Sequence, residues 1–406
     1  MKKKKIAFIT GIVVAVVFLG GIATYVYVFK NNHSASEIKD GVTDTQSSWN
    51  TDTHHIAAGN GGYYYTQYDA DGKIRLYYTQ VENENGVVLC ALPECTHKTD
   101  ECRAVLSGEA YQFGTVYYYK DFLYVIHNKE GMGYLCKIDS DGSGREDVCA
   151  LFAMDKFSSV SLVFHENDIY AYDSVGNAGG SENHVQEIKK ISIGDYAVST
   201  VYEYSGVGAA ITGARDFGGY LYFIVMEYRL DMDSKTHYAD ERLYRYNYGN
   251  GIAEKVIDKQ VSDYFVLGDT LVYFESGTGL YVYDFKTQKE TLEVQADKNI
   301  LVAGISYDGQ YFYLDNAGMG SLTDAASRIE RVIYVYDRSF NLIREIDCGK
   351  DCTGVLFLEM KSIFFIKQLD TICYIKKEDI FKCGMGTALN NTAYTKRILI
   401  DKKREK

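Results

Sequence analysis

Apolar and polar residues alternate along most of this chain in runs of four to eight positions, and the runs recur. One set reads "GGYYYTQY", "KDFLYVIHN", "NDIYAYD", "GGYLYFIV", "GDTLVYFE", "GQYFYLD" and "MKSIFFIK", with turn residues at Gly61, Lys120, Asn167, Gly218, Gly268, Gly309 and Met360. A second set follows the first at similar distances: "LCKID" from Leu135, "LYRYN" from Leu243, "LYVYD" from Leu280, "IYVYD" from Ile333 and the weaker "IKKIS" from Ile188. Alternation with period two marks a strand with one buried face, and Gly, Asp and Asn between such runs supply the positive φ of tight hairpins.

Each repeat therefore predicts a small antiparallel meander. One meander cannot bury both of its faces, but copies stacked around an axis can. The spacing of the turns matches the period of propeller blades. The expectation is an all-β fold, a seven-bladed β-propeller over residues 60–400. The composition agrees, with 37 Tyr and 37 Gly against a single Pro, so that Gly, Asn and Asp carry the turns.

The pattern breaks at the N-terminus. Lys2 to Lys5 form a basic segment (1–5), followed by an uncharged run at 6–29 that is long enough to cross a bilayer as a helix. The apolar run exceeds that of a cleaved signal peptide, which favours a signal anchor. The lysines favour a cytoplasmic N-terminus, by the positive-inside tendency. A polar Ser/Thr/Asp-rich stretch at 30–59 reads as a stalk, and 401–406 as a basic tail. The expected location is the plasma membrane, crossed once, with the C-terminal domain outside.

Net charge changes the picture of partners. The chain carries −12, but residues 1–30 hold five Lys and no acid, which leaves 38 basic against 55 acidic residues beyond them. An outward domain this acidic disfavours nucleic acid, whose phosphates need clustered Lys and Arg.

Chemistry-bearing residues gather in "LCALPECTHKTDEC", which sets Cys90, Cys95, His97 and Cys102 in the longest interval between repeats. Three thiolates and an imidazole can close a tetrahedral structural zinc site. Oxidation outside the membrane would instead favour local disulfides, and both readings staple a loop. Cys136 and Cys149 flank the turn "DSDGSG" as disulfide candidates, and Cys348 and Cys352 form a second candidate pair. Nine cysteines cannot all pair. Acidic loops at Asp69 and Asp139 read as hairpin turns, whereas Asp231, Asp233 and Asp240 form the more plausible start of a calcium site.

The segment "GYLCKIDSDGSGRE" resembles the strand and turn of TolB-like bacterial envelope propellers and of related Tyr-rich surface propellers. The motif C-x4-C-T-H-x4-C is similar to one near the first blade of that second group. The resemblance implies a binding role. No nucleophile elbow, HExxH, P-loop or dinucleotide fingerprint occurs, so a non-enzymatic function is expected. The reading is a membrane-anchored binding or scaffolding module for a protein or an envelope polymer, with no cofactor unless the Cys–His loop holds a structural zinc rather than a disulfide. The alternative is an extracellular polysaccharide hydrolase or lyase with carboxylates at the propeller channel.

Overall fold

A computed structural model describes residues 56–69, 71–80, 86–106, 111, 115–154, 159–174, 183–230, 237–297, 300, 304–316, 332–347, 357–358, 362–367, 371–382 and 396–397. The expected anchor at 6–29 and the basic tail lie outside them. Among the described residues no helix is long and apolar enough to cross a membrane.

The hairpin turns explain the fold. Between the first and second strands of successive sheets, positive φ occurs at Asn60 and Gly61, Lys120 and Asp121, Glu166, Gly218, Gly268 and Gly309. These turns coincide with six of the seven positions marked by the repeat. Lys120 and Asp121, at φ 47° and 65°, make the same reversal without glycine. The strands they join form seven antiparallel sheets, hydrogen-bonded in sequence order.

First strands of successive sheets touch: Ile56–Gly59 with Tyr117–Tyr119, Val160–His165 with Ala210–Phe217, and Asp263–Leu267 with Gly304–Tyr307. The fold is an all-β propeller. The expectation of a seven-bladed ring is corrected to six regular four-stranded blades, with an irregular five-stranded sheet preceding them. The first strand of that sheet, Ile56–Gly59, also begins inside the stretch expected to be stalk.

The core lies between sheets, because each strand buries alternate residues against the neighbouring meander. Leu123, Val125 and Cys136 of the second sheet pack on Ile74, Leu76 and Val105 of the first. On its other face Tyr124, Ile126 and Leu135 meet Leu162, Phe164 and Ile169 of the third. Clusters around Phe223, Tyr264 and Phe312 continue this to the sixth. Tyrosines serve this packing: Tyr64 stacks on Tyr118 across two sheets at 5.6 Å, and Tyr119 on Phe164 at 4.8 Å. Several of the buried hydroxyls find backbone partners, whereas those of Tyr65 and Tyr124 are buried with none among the described residues. Tyr117 accepts from the Leu162 amide at 3.0 Å, Tyr172 accepts from Ala214 at 3.2 Å, and Tyr264 donates to the Gly213 carbonyl at 2.7 Å.

One ionic tie joins three sheets. Arg215 of the fourth reaches Asp263 of the fifth at 3.0 Å, both nearly inaccessible. The same guanidinium donates to the carbonyls of Tyr264 and Ile305. Asp263 in turn accepts from the Ile305 amide of the sixth sheet at 2.6 Å. The last sheet is tied in by Lys377, which pairs with Asp308 at 2.6 Å.

Candidate metal centre and contact surface

The irregularity of the first sheet is where the cysteines gather. Strand Ile74–Thr79 has two short partners on its outer edge. Val87–Val88 pairs with Tyr77 and Tyr78, and Val105–Leu106 pairs with Ile74 and Arg75. The outer strand is thus split in two. Residues 89–104 leave the edge and return, and Leu76 closes the gap by accepting from the Leu89 amide and donating to the Ala104 carbonyl, both at 2.9 Å.

Within this excursion the ligand atoms of Cys90, Cys95, His97 and Cys102 all lie within 4.8 Å of one another. His97 Nδ1 stands 3.4 Å from Cys102 Sγ. Among the described residues no other group of three or more such ligands comes together in this way. The loop adopts left-handed backbone at Glu94 and His97, φ 59° and 56°, an uncommon conformation for non-glycine residues. Arg75 holds the site from below: Nε donates to the His97 carbonyl at 2.7 Å, while the other nitrogens bond Asp69 and Asp71.

Burial differs around the cluster. Cys102 is 1% exposed and belongs to the core, whereas Cys90, Cys95 and His97 are half-buried. Burial pushes the Cys102 thiol up to about 11. Cys90 is also opposed by burial, but donors at Leu92, Cys102 and Cys95 draw it below the usual thiol range. The second sheet supports the loop from outside. Its turn places Gly142, at φ 76°, so close that a Cβ there would sit 2.6 Å from the Leu89 carbonyl oxygen.

The other candidates fare differently. Cys136 and Cys149 are unbridged, and they lie on opposite faces of the second sheet. The expected bridge between them is corrected: the register shifts between Leu135 and Cys136, setting Asp147 opposite Cys136 and Leu135 opposite Cys149. Cys348, Cys352, Asp231 and Asp233 lie outside the described residues. Asp240 is not free to bind calcium, because its oxygens receive Arg242 Nε at 2.7 Å, Arg229 Nε at 2.9 Å and Gln260 Nε2 at 3.0 Å.

The turn readings at Asp69 and Asp139 agree with the geometry. The Gly72 amide donates to the Asp69 carbonyl at 2.9 Å and the Gly142 amide to the Asp139 carbonyl at 2.8 Å. Tyrosines of the repeated strands lie at the packed surfaces: Tyr117, Tyr119, Tyr222 and Tyr334 are buried, and Tyr244, Tyr281 and Tyr283 pack against cores while half-buried.

Sequence reasoning did not find a second surface. The fourth sheet contains two strands of eleven residues, Tyr220–Leu230 and His237–Asn247, paired along their whole length. Among the described residues they outreach the second and third strands of every other sheet. Beside this hairpin runs Val198–Val207 of the third sheet, with Gly206 against the Glu227 carboxylate. Val185, Val207 and Tyr238 are 52%, 39% and 46% exposed. A cleft of about 170 Å³ lies between this hairpin and the third sheet, lined by Tyr204, Glu227, Arg229, Arg242 and Lys255, and Tyr238 stands opposite Arg229 on the same face. The length of a paired strand beyond its neighbours is the one signal in the sequence that would have pointed here.

No protein-family model and no curated protein matches this chain. Solved structures do. BamB from Moraxella catarrhalis is 12% identical, with 79% of this chain and 82% of that one covered and a TM-score of 0.47. TolB from Acinetobacter baumannii is 13% identical over 70% of this chain and 62% of that one, with a TM-score of 0.38. Both are β-propeller proteins of the bacterial envelope. An uncharacterized protein from Listeria monocytogenes is 11% identical over 72% of this chain and 84% of that one, with a TM-score of 0.43.

Proposed function

We propose that this chain is a membrane-anchored binding module. Residues 6–29 span the plasma membrane with the N-terminus inside, and the propeller presents the overhanging hairpin of its fourth sheet to a protein of the envelope. The observation that carries this reading is the long hairpin itself, with Tyr238 exposed opposite Arg229 on the face that carries the charged cleft. An aromatic anchor rimmed by charge is what protein interfaces use. The anchor accounts for why such a surface would work at a membrane, since tethering confines it to partners in the same layer.

The test is a photo-reactive residue placed at Tyr238 in cells making the full chain, with the same probe at Tyr283 as control. A discrete adduct at Tyr238 is expected, and Arg229→Glu, which reverses the charge beside it, should abolish it. Equal labelling at both positions, or an adduct indifferent to Arg229→Glu, would count against this surface.

Cleavage of an extracellular polysaccharide remains the second reading, and one observation favours it. Glu241, raised to about 7 by burial and by the charges of Asp263 and Asp240, brings carboxyl groups of adjoining sheets under mutual influence. A raised acid beside an ionised carboxylate is the arrangement of glycosidic general acids. Against it, Asp263 is already held by Arg215 and two backbone amides. Absence of new reducing ends or unsaturated products from acidic and neutral polysaccharides would remove this reading.

A further inference from the structure

The Cys–His loop of the first sheet has a geometry that separates its two possible uses. With Zn–S near 2.3 Å and Zn–N near 2.0–2.1 Å, a tetrahedral centre places two sulfurs about 3.8 Å apart and a sulfur and a nitrogen about 3.5 Å apart. The four donors lie within 4.8 Å of one another, and the His97–Cys102 edge is already 3.4 Å. Closing such a shell needs movements of an ångström or less. A local disulfide would instead draw two sulfurs to about 2.05 Å and leave the third thiol and the imidazole without a common task.

We propose that Cys90, Cys95, His97 and Cys102 bind one zinc ion through three thiolate sulfurs and His97 Nδ1, as a closed structural centre that rejoins the two halves of the split outer strand.

Three further features support it. The spacing C-x4-C-x-H-x4-C gathers all four donors from a single excursion of the chain, whose two ends are fixed on the sheet at Leu76. Left-handed backbone at His97 turns that residue within the loop, and Arg75 fixes its carbonyl at 2.7 Å. Outer contacts that orient a metal ligand in this way are a recurrent part of metal sites. The donor set itself selects the ion, since thiolates with one imidazole suit zinc rather than calcium or magnesium. All four positions are filled by protein, which leaves no open site for a reacting molecule. Binding requires the three thiols to release their protons, so uptake of one Zn2+ weakens steeply as pH falls.

The experiment uses the full chain in detergent, reduced, supplied with Zn2+ and then dialysed. One zinc per chain is expected by elemental analysis. Replacement by Co2+ should give thiolate-to-cobalt charge-transfer absorption with tetrahedral d–d bands. Cys95→Ser should lose stoichiometric zinc, while His97→Cys should keep it and shift the cobalt bands toward those of four thiolates. The His97→Cys variant guards against a trivial loss of folding. Substoichiometric zinc in the wild-type chain, a cobalt spectrum unchanged by His97→Cys, or a bridge among Cys90, Cys95 and Cys102 that persists with Zn2+ present would overturn the proposal.

Discussion

Replacing Arg215 by Met tests whether the propeller is held at its centre by charge as well as by packing. The perturbation removes the guanidinium that pairs with Asp263 at 3.0 Å and serves the carbonyls of Tyr264 and Ile305. At that distance and an effective dielectric of about 20 the attraction lost is about 5 kcal/mol. Leaving one member of a buried pair unpaired typically costs about 3–5 kcal/mol. For a domain of roughly 340 residues this corresponds to a fall of about 4–7 °C in melting temperature.

The double variant Arg215→Met/Asp263→Asn removes the uncompensated charge but retains an acceptor for the Ile305 amide, so it should recover part of the loss. pH supplies a further check. Burial already raises the Asp263 carboxyl above its ordinary value despite Arg215, and without Arg215 it rises further. A raised acid binds its proton more tightly in the folded state, so the single variant should lose stability as pH climbs above about 4. Thermal and urea unfolding at pH 4.5 and 7.5 reads both effects. A loss under about 1 kcal/mol at pH 7.5, or a double variant less stable than the single, would refute the reasoning.

Two other predictions concern single positions. Glu241 is raised from 4.5 to about 7 by burial and by Asp263 and Asp240. Its contribution to stability therefore falls as pH rises between those values, by at most about 3 kcal/mol at 1.36 kcal/mol per unit. Glu241→Gln should flatten this slope and raise the melting temperature at pH 8 relative to wild type, with little change at pH 4; an unchanged slope would contradict the assignment. Gly142→Ala puts a Cβ 2.6 Å from Leu89 and forces left-handed backbone, which alone costs about 1–2 kcal/mol. Urea unfolding should show that loss or more, together with faster alkylation of Cys90, whereas Gly61→Ala, with open space around it, should show only the backbone penalty.

Much of the fold was legible because a propeller writes the same local instruction repeatedly. Six of the repeated turns fall where the sequence places them, since a two-residue reversal depends on the residues inside it. The register of the second sheet was not legible in this way. Cys136 and Cys149 flank the same turn at 139–144, but one bulge between Leu135 and Cys136 sends them to opposite faces. Nothing in the local pattern marks that bulge.

Long-range pairs were hidden for a different reason. Arg215 and Asp263 are 48 positions apart, and each sits in a strand whose alternation would suit an apolar residue equally well. The Cys–His loop was visible as a cluster but not as a split strand. Val87–Val88 and Val105–Leu106 are too short to register as period-two runs, and only their common partner Ile74–Thr79 reveals that they are two halves of one edge.

That split edge bears on whether copies of the molecule can add to one another strand to strand. A sheet margin presents unpaired amides and carbonyls to which another chain can add, and length and flatness decide how inviting it is. The first sheet ends in two dipeptide strands divided by the loop, and the last ends in Lys396–Arg397. Among the described residues both sheets thus offer a margin too short, and in the second case too charged, to template a foreign strand. An interruption that looks like a defect in the first meander also acts as a guard against strand addition between copies.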